Sequence, residues 1–347
     1  MGIKASNGRG ERLSLNKTCE NSACSGTICN DSAGDTSQRC DKAPAHFVSS
    51  TGIKSQEQLL SRLIDKGLAA SDVGVGMALL GTLGYTHVVR YVPAHVAIVE
   101  QPSFSTLYRD ITLDHAFQGA LLTCVIRFER SFKSKLSNAL ANEAGEFAHM
   151  ERSLFEDEGG WKQFVDGSRS EIVQKARKGS RYAARIASQG RQVPIWSALE
   201  FSSLGVVSKL FANLTACEAK RSIALHYGLD TSFVESWLFS LSFVRNECAH
   251  GGVLYGRELE IQPRAHRLFP QVSNRHAFYQ VLVLSWLLEH DIPDSSQTLI
   301  DDVAMLLSCG SLRLGLAAPK DWIDDVRNVA TMAGSHIRGE VARSSVE

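Results

Sequence analysis

Residues 113–140 read LDHAFQGALLTCVIRFERSFKSKLSNAL, and this stretch decides the fold. Leu113, Phe117, Leu121, Phe128, Phe132, Leu136 and Leu140 recur at helical spacing, so they share one face of a long helix. Arg127, Glu129, Arg130, Lys133 and Lys135 fill its polar flank. Working outward, the same period returns in every ordered segment. Ser55 and Gln58 form a capping-box pattern ahead of Leu59, Leu60, Leu63, Ile64 and Leu68. Residues 73–95 are broken into short pieces by Gly74, Gly76, Gly81, Gly84 and Pro93. Pro194 opens an apolar helix through Trp196, Leu199, Phe201 and Val206. A short helix over 218–227 is stopped by Gly228, and Ser232 with Glu235 reads as a second capping box. That box feeds Phe233, Val234, Trp237, Leu238, Leu241 and Val244. Two further helices are expected at about 274–290 and 297–308, and strand-like alternation is nearly absent. The fold class is all-α.

The bulk numbers exclude several classes. With 37 basic and 37 acidic residues the net charge is zero, so nucleic-acid contact has to come from local clusters. The longest apolar run, Val281 to Leu288, is too short to span a bilayer, and the N-terminus has no apolar signal core. A cytoplasmic location with no membrane partner is the expectation. Residues 1–48 are polar and lack apolar periodicity, which predicts a disordered tail carrying Cys19, Cys24, Cys29 and Cys40. Their spacing lacks the paired elements of familiar zinc modules, so no metal or cofactor is expected, with a zinc or redox sensor as the minority reading. Cys124, Cys217, Cys248 and Cys309 are expected as buried thiols. The remaining domains are 49–325, a helical domain, and 326–347, a C-terminal helix or tail. Residues 169–191 place seven cations, among them Arg177, Lys178, Arg181 and Arg185, against Glu171 alone. This run reads as either a solvated helix surface or a patch that tracks phosphates.

The chemistry-bearing motif is Arg245-Asn246-Glu247-Cys248-Ala249-His250. Arg offers a permanent forked cation to a phosphate, and His can change charge near neutral pH. The spacing alone is not distinctive. It occurs also as Arg39/His46, Arg90/His95, Arg109/His115 and Arg221/His226. The first lies in the polar tail, the second contains Pro93, and the third straddles an expected helix start. Arg221 has no obvious second polar group to orient it, whereas Arg245 is followed by Asn246 at the end of an apolar helix. Five residues turn a helix by about 500°, so Arg245 and His250 sit roughly 140° apart and ~7.5 Å along the axis. Two such helix ends meeting across a two-fold axis would assemble both groups at one phosphate. The bland alternative is a helix C-terminus with cations near the negative end of its dipole.

These residues resemble a known family. Glu235-Ser236-Trp237-Leu238 followed by Arg245-Asn-Glu-Cys-Ala-His250 is similar to the "esWL..L...RN.CAH" signature of Abi-like abortive-infection proteins of the AbiD/AbiF type, within the HEPN superfamily. Val193-Pro194-Ile195-Trp196 with Glu200, Gly205 and Leu210 resembles the family's "lPiW..vE..sfG.ls.l" block. Arg127-Phe128-Glu129-Arg130 looks like its "ERIE" helix, and Gly315, Pro319 and Trp322 look like its "GfP..W". The resemblance covers about residues 50–325. It implies a HEPN-like helical bundle with added N- and C-terminal helices, a homodimer, and metal-independent RNA cleavage in phage defence. Arg245 and His250 would then be catalytic with Asn246 beside them, and the retained Arg257, with the separately read basic patch of Arg177, Lys178, Arg181 and Arg185, would be the expected RNA contacts. A regulatory small RNA or antitoxin would restrain the toxin. The sequence departs from the pattern in two places. Gly251-Gly252-Val253-Leu254-Tyr255-Gly256-Arg257 replaces a second His and "RLWNR", and Leu113-Asp114-His115-Ala116-Phe117-Gln118 replaces "FDR.LR" without its arginines. A non-catalytic RNA- or protein-binding module is the competing reading.

Overall fold

The long amphipathic stretch forms the axis of the molecule. The computed structural model describes residues 55–188, 193–269 and 272–344, with side chains of the last helix to Ser335. The N-terminal cysteines, Arg39/His46 and Arg191 lie outside the described residues. Among those described there are fifteen α-helices and no strands, so the chain is all-α as its periodicity requires.

α1 (Gln56–Ile64) begins with the Ser55–Gln58 capping box that its sequence predicts. α2 (Val73–Leu83), α3 (Tyr85–Val88) and α4 (Val92–Ile98) are the expected short pieces, with Pro93 in the first turn of α4. α5 (Phe104–Ala144) spans 41 residues, roughly 60 Å at 1.5 Å per residue. It starts nine residues earlier than the apolar repeat suggests. The cause is Ser103, whose hydroxyl accepts from Thr106 N while Thr106 returns the bond, a capping box built without Glu or Gln. Both Arg109 and His115 therefore lie inside this helix rather than across its start. Phe117, Leu121, Phe128, Phe132, Leu136 and Leu140 are fully buried, whereas Leu113 is only half-buried. Each full burial contributes about 1.5–3 kcal/mol.

α6 (Glu158–Arg177) and α7 (Arg181–Ser188) form a hairpin. The apolar stretch after Pro194 is two helices, α8 (Ile195–Phe201) and α9 (Leu204–Asn213). They are parted at Ser202, which is extended, and Ser203, whose hydroxyl caps α9 by accepting from Val206 N. α10 (Glu218–His226) ends before Gly228 at φ +60°. Then come α11 (Thr231–Ala249), α12 (Phe278–Asp291), α13 (Gln297–Leu307), α14 (Gly310–Gly315) and α15 (Trp322–Ser344). α5 packs against α2, α4, α8, α10, α11, α12, α13 and α14. Every residue of α12 from Phe278 to His290 is buried, as befits a helix apolar on all sides. It sits between α5 and α15 and is core. Among the described residues no helix is long and apolar enough to cross a membrane.

Candidate functional site

α11 is fixed first by its inner face. Val234, Trp237, Leu238, Leu241 and Val244 are buried against α5 and α9. Trp237 Nε1 donates to the Arg264 carbonyl at 2.9 Å, and Ser240 Oγ donates to the Ile261 carbonyl at 2.9 Å. The expected Ser232–Glu235 capping box is absent, because the helix starts at Thr231 with Asp230 as its cap. Ser232 instead accepts from Arg264 Nη1, and Glu235 pairs with Lys220 at 2.8 Å. The far end matches expectation. His250 is the C-cap, Gly251 turns at φ +69°, and Gly252 N donates to the Glu247 carbonyl at 2.7 Å. A Cβ on Gly252 would lie 2.8 Å from the Glu247 carbonyl oxygen, so this closure needs glycine.

The terminal turn sends its polar groups in different directions. Arg245 points back toward α5, its Nε 4.0 Å from Glu129 Oε2. Its Nη1 donates to Asn246 Oδ1 at 3.3 Å. Arg245 Nε is buried yet accepted by no oxygen at hydrogen-bond distance. Asn246 and His250 are exposed on another side of the helix. One chain thus does not aim Arg245 and His250 at a common point, as the 140° separation requires. Cys248 lies half-buried, and burial, followed by Asp114 and Glu247, pushes its thiol up to about 12, which leaves it unreactive. Cys124 and Cys217 are buried as expected, whereas Cys309 is also only half-buried.

Beneath the loop after His250 lies a polar support that sequence reasoning missed. Asp114 Oδ2 accepts from Tyr91 Oη at 2.8 Å, Gln118 Nε2 at 2.8 Å and Leu254 N at 3.3 Å. Gln118 also donates to the Gly252 carbonyl at 3.2 Å, and Arg90 Nη1 reaches the Gly251 carbonyl at 3.5 Å. One turn earlier, Asp110 accepts from His95 Nδ1 at 2.8 Å, Tyr255 Oη at 3.1 Å and Ser311 Oγ at 2.6 Å. Burial raises the Asp114 pKa despite its donors. Burial works the same way at Asp110, but bonds from His95 and Ser311 outweigh it and hold that carboxyl below the usual range. The available signal was two Asp four residues apart on the apolar side of α5. Gln118, at the second arginine position of "FDR.LR", bridges Asp114 to the Gly252 carbonyl as a neutral donor. Glycines complete the fit. A Cβ on Gly256 would stand 2.0 Å from Ala94 Cβ, and one on Gly315 would stand 2.3 Å from the Tyr255 ring.

Arg177, Lys178, Arg181 and Arg185 are exposed around the α6–α7 turn, where Gly179 has φ +95°. Arg185 lies 5.4 Å from the centre of the Tyr182 ring. Arg257 is exposed just past the glycine loop. Among the rival pairs, Arg221 proves well oriented, contrary to the sequence reading: Glu218 Oε2 accepts from it at 3.0 Å and the Ala216 carbonyl at 2.6 Å. His226 stands 3.6 Å from Asp291, so this pair is committed to structure.

A cavity of about 590 Å³ opens beside Arg245, walled by α5, α6, the α8–α9 junction and α9. The Abi-like protein family model matches residues 79–256, more than half of the chain. The chain belongs to the Abi-like family. The match contains α5, this cavity, all of α11 and the loop to Gly256. Gly315, Pro319 and Trp322 lie beyond it. No curated protein and no solved structure matches the chain.

Proposed function

We propose that this Abi-like protein acts in abortive infection, a phage-defence response, as a metal-independent HEPN-type endoribonuclease. The observation that carries the reading is the end of α11. The last turn of this helix carries Arg245, with an unbonded guanidinium Nε, and its C-cap is the exposed His250, just before the Gly251–Gly252 closure. His250 takes the proton of a ribose 2′-hydroxyl as its oxygen attacks the neighbouring phosphorus. The bond to the 5′-oxygen breaks, a proton passes to that oxygen, and a 2′,3′-cyclic phosphate and a 5′-hydroxyl result. Proton transfer of this kind contributes about 10²–10⁴-fold. Arg245 stabilises the charge on the pentacoordinate phosphorane, on the order of 3 kcal/mol for a preorganised donor. Because one chain separates the two groups, a homodimer supplies the complete site. Arg177, Lys178, Arg181, Arg185 and Arg257 hold the RNA backbone, and a small RNA or antitoxin restrains the enzyme. The second reading, a binding module without catalysis, is favoured by one observation: Gly251 and Gly252 stand where the family has a second histidine.

The test is cleavage of total RNA in EDTA, with mapping of cyclic-phosphate ends. Wild type should produce them, and His250→Ala should produce none and lose growth inhibition at unchanged thermal stability. Cleavage or toxicity undiminished in folded His250→Ala would overturn the catalytic reading.

A further inference from the structure

The cavity beside Arg245 has a composition that the ribonuclease reading does not use. It carries four cations, Lys133, Lys175, Lys209 and Arg245, against three carboxylates, Glu129, Glu171 and Glu200. Lys133 is held by Glu129 at 2.6 Å and Lys175 by Glu171 at 3.7 Å. Among the described residues Lys209 and Glu200 form no ion pair, so one cation and one carboxylate on the wall stay open. Arg245 also lines the cavity as a partly exposed guanidinium, with its Nε turned inward to Glu129 at 4.0 Å. Buried Phe164 and Leu210 make an apolar floor. Gly167, in the interior of α6, also lines the space, and a Cβ built there meets nothing within 4 Å. Glycine inside a helix costs about 1 kcal/mol relative to alanine, and no close packing at this position demands it. What its missing side chain preserves is the cavity.

We propose that this cavity binds a nucleoside phosphate. The volume of about 590 Å³ falls within the range of small-molecule sites. Each part of the wall suits one part of such a ligand. The forked Arg245 and the unpaired Lys209 suit a phosphate. The floor of Phe164 and Leu210 suits the flat apolar face of a base. The acceptor-only carboxylate of Glu200 suits a base with an exocyclic amino group, favouring adenine, cytosine or guanine over uracil. Because Arg245 is shared with the proposed cleavage site, the inference deepens that reading: the ligand is either the nucleotide next to the cut or a free nucleotide that controls it.

The experiment is calorimetric titration of the full chain with AMP, CMP, GMP, UMP and inorganic phosphate in EDTA. Saturable binding of the three amino-bearing nucleotides, tighter than that of UMP or phosphate, is expected. Lys209→Glu should weaken it at least about tenfold, the loss of one charge-assisted contact. Gly167→Leu should abolish it while matching or exceeding wild-type thermal stability, since leucine fills open space and favours helix. Because the titration reads binding and not cleavage, the pocket can stand even if the ribonuclease reading falls. Competitive inhibition of RNA cleavage by the bound mononucleotide would assign the pocket to the substrate, and non-competitive modulation to a regulator. No saturable binding, binding indifferent to Gly167→Leu, or phosphate bound as tightly as the nucleotides would overturn the proposal.

Discussion

His149 shows how a single side chain can set the acid limit of this molecule. It is buried just after α5, its ring edge-on to Phe164 at 6.0 Å, with Nδ1 unbonded and its carbonyl accepting from Trp161 Nε1 at 3.0 Å. Burial lowers its pKa from 6.5 to about 4. The native state therefore holds His149 neutral where the unfolded chain would protonate it. The resulting stability is fully present above pH 6.5 and drains away as pH falls toward about 4, by about 3 kcal/mol at most. His149→Phe removes the titration and keeps the ring packing. Urea unfolding at several pH values across this window should show wild type losing that much more stability than the variant. Parallel losses in the two proteins would remove His149 as the cause. No pattern in the sequence marks this residue. A histidine between Ala148 and Met150 reads as a loop residue until its neighbours are known, because burial is a property of the packed state.

At the scale of elements, the periodic signal was legible and the local chemistry was less so. The stripe from Leu113 to Leu140 locates α5 because seven apolar positions must share one face. Its start at Ser103 was not, since Thr106 closes the capping box with a hydroxyl where the pattern expects Glu or Gln. The α8–α9 break escaped notice because Ser202 and Ser203 interrupt the backbone without interrupting the apolar count. The periodicity places Arg245–His250 at the end of a helix, where α11 ends, but it does not mark Asp110 and Asp114 as supports of the loop beyond. Their spacing puts them on the apolar side of α5, but their partners Tyr91, His95, Leu254 and Tyr255 are remote in sequence. Asp114 clips α5 to the loop after α11, which yields a test. Asp114→Ala leaves the Leu254 N–H and the Tyr91 hydroxyl without an acceptor and should cost about 2–3 kcal/mol. Asp114→Asn keeps one carbonyl oxygen at the shared position and should cost far less. Denaturant melts of both, with protease sensitivity at residues 250–257 as the local readout, check this. Equal losses in the two variants would mean that the clip is not what holds the loop.

For the whole molecule, the angular layout of α11 says how the proposed dimeric site would be built. With about 100° per residue, Phe239, Phe243 and Asn246 fall within roughly 60° of one another, on a stripe that runs on to His250. Arg245 lies about 100° away from Asn246, on the side of Glu129 and the cavity. Phe239 is 46% exposed although its helix is otherwise buried on its inner face, and Val206 of neighbouring α9 is exposed as well. A second copy of α11 laid antiparallel across this stripe would cover the two phenylalanines and bring its own terminal turn toward the first. Two-fold symmetry makes the contact self-complementary, so the terminal turns of the two copies, each carrying its own Arg245 and His250, lie beside the joint. Light scattering should then show a dimer for wild type and a monomer for Phe239→Asp, a change at an exposed position that leaves the core intact. The monomeric variant should lose RNA cleavage about as completely as His250→Ala while retaining nucleotide binding in the cavity, whose walls all come from one chain. Undiminished cleavage by a monomeric Phe239→Asp would show that a single copy suffices, and the separation of Arg245 from His250 would need another explanation.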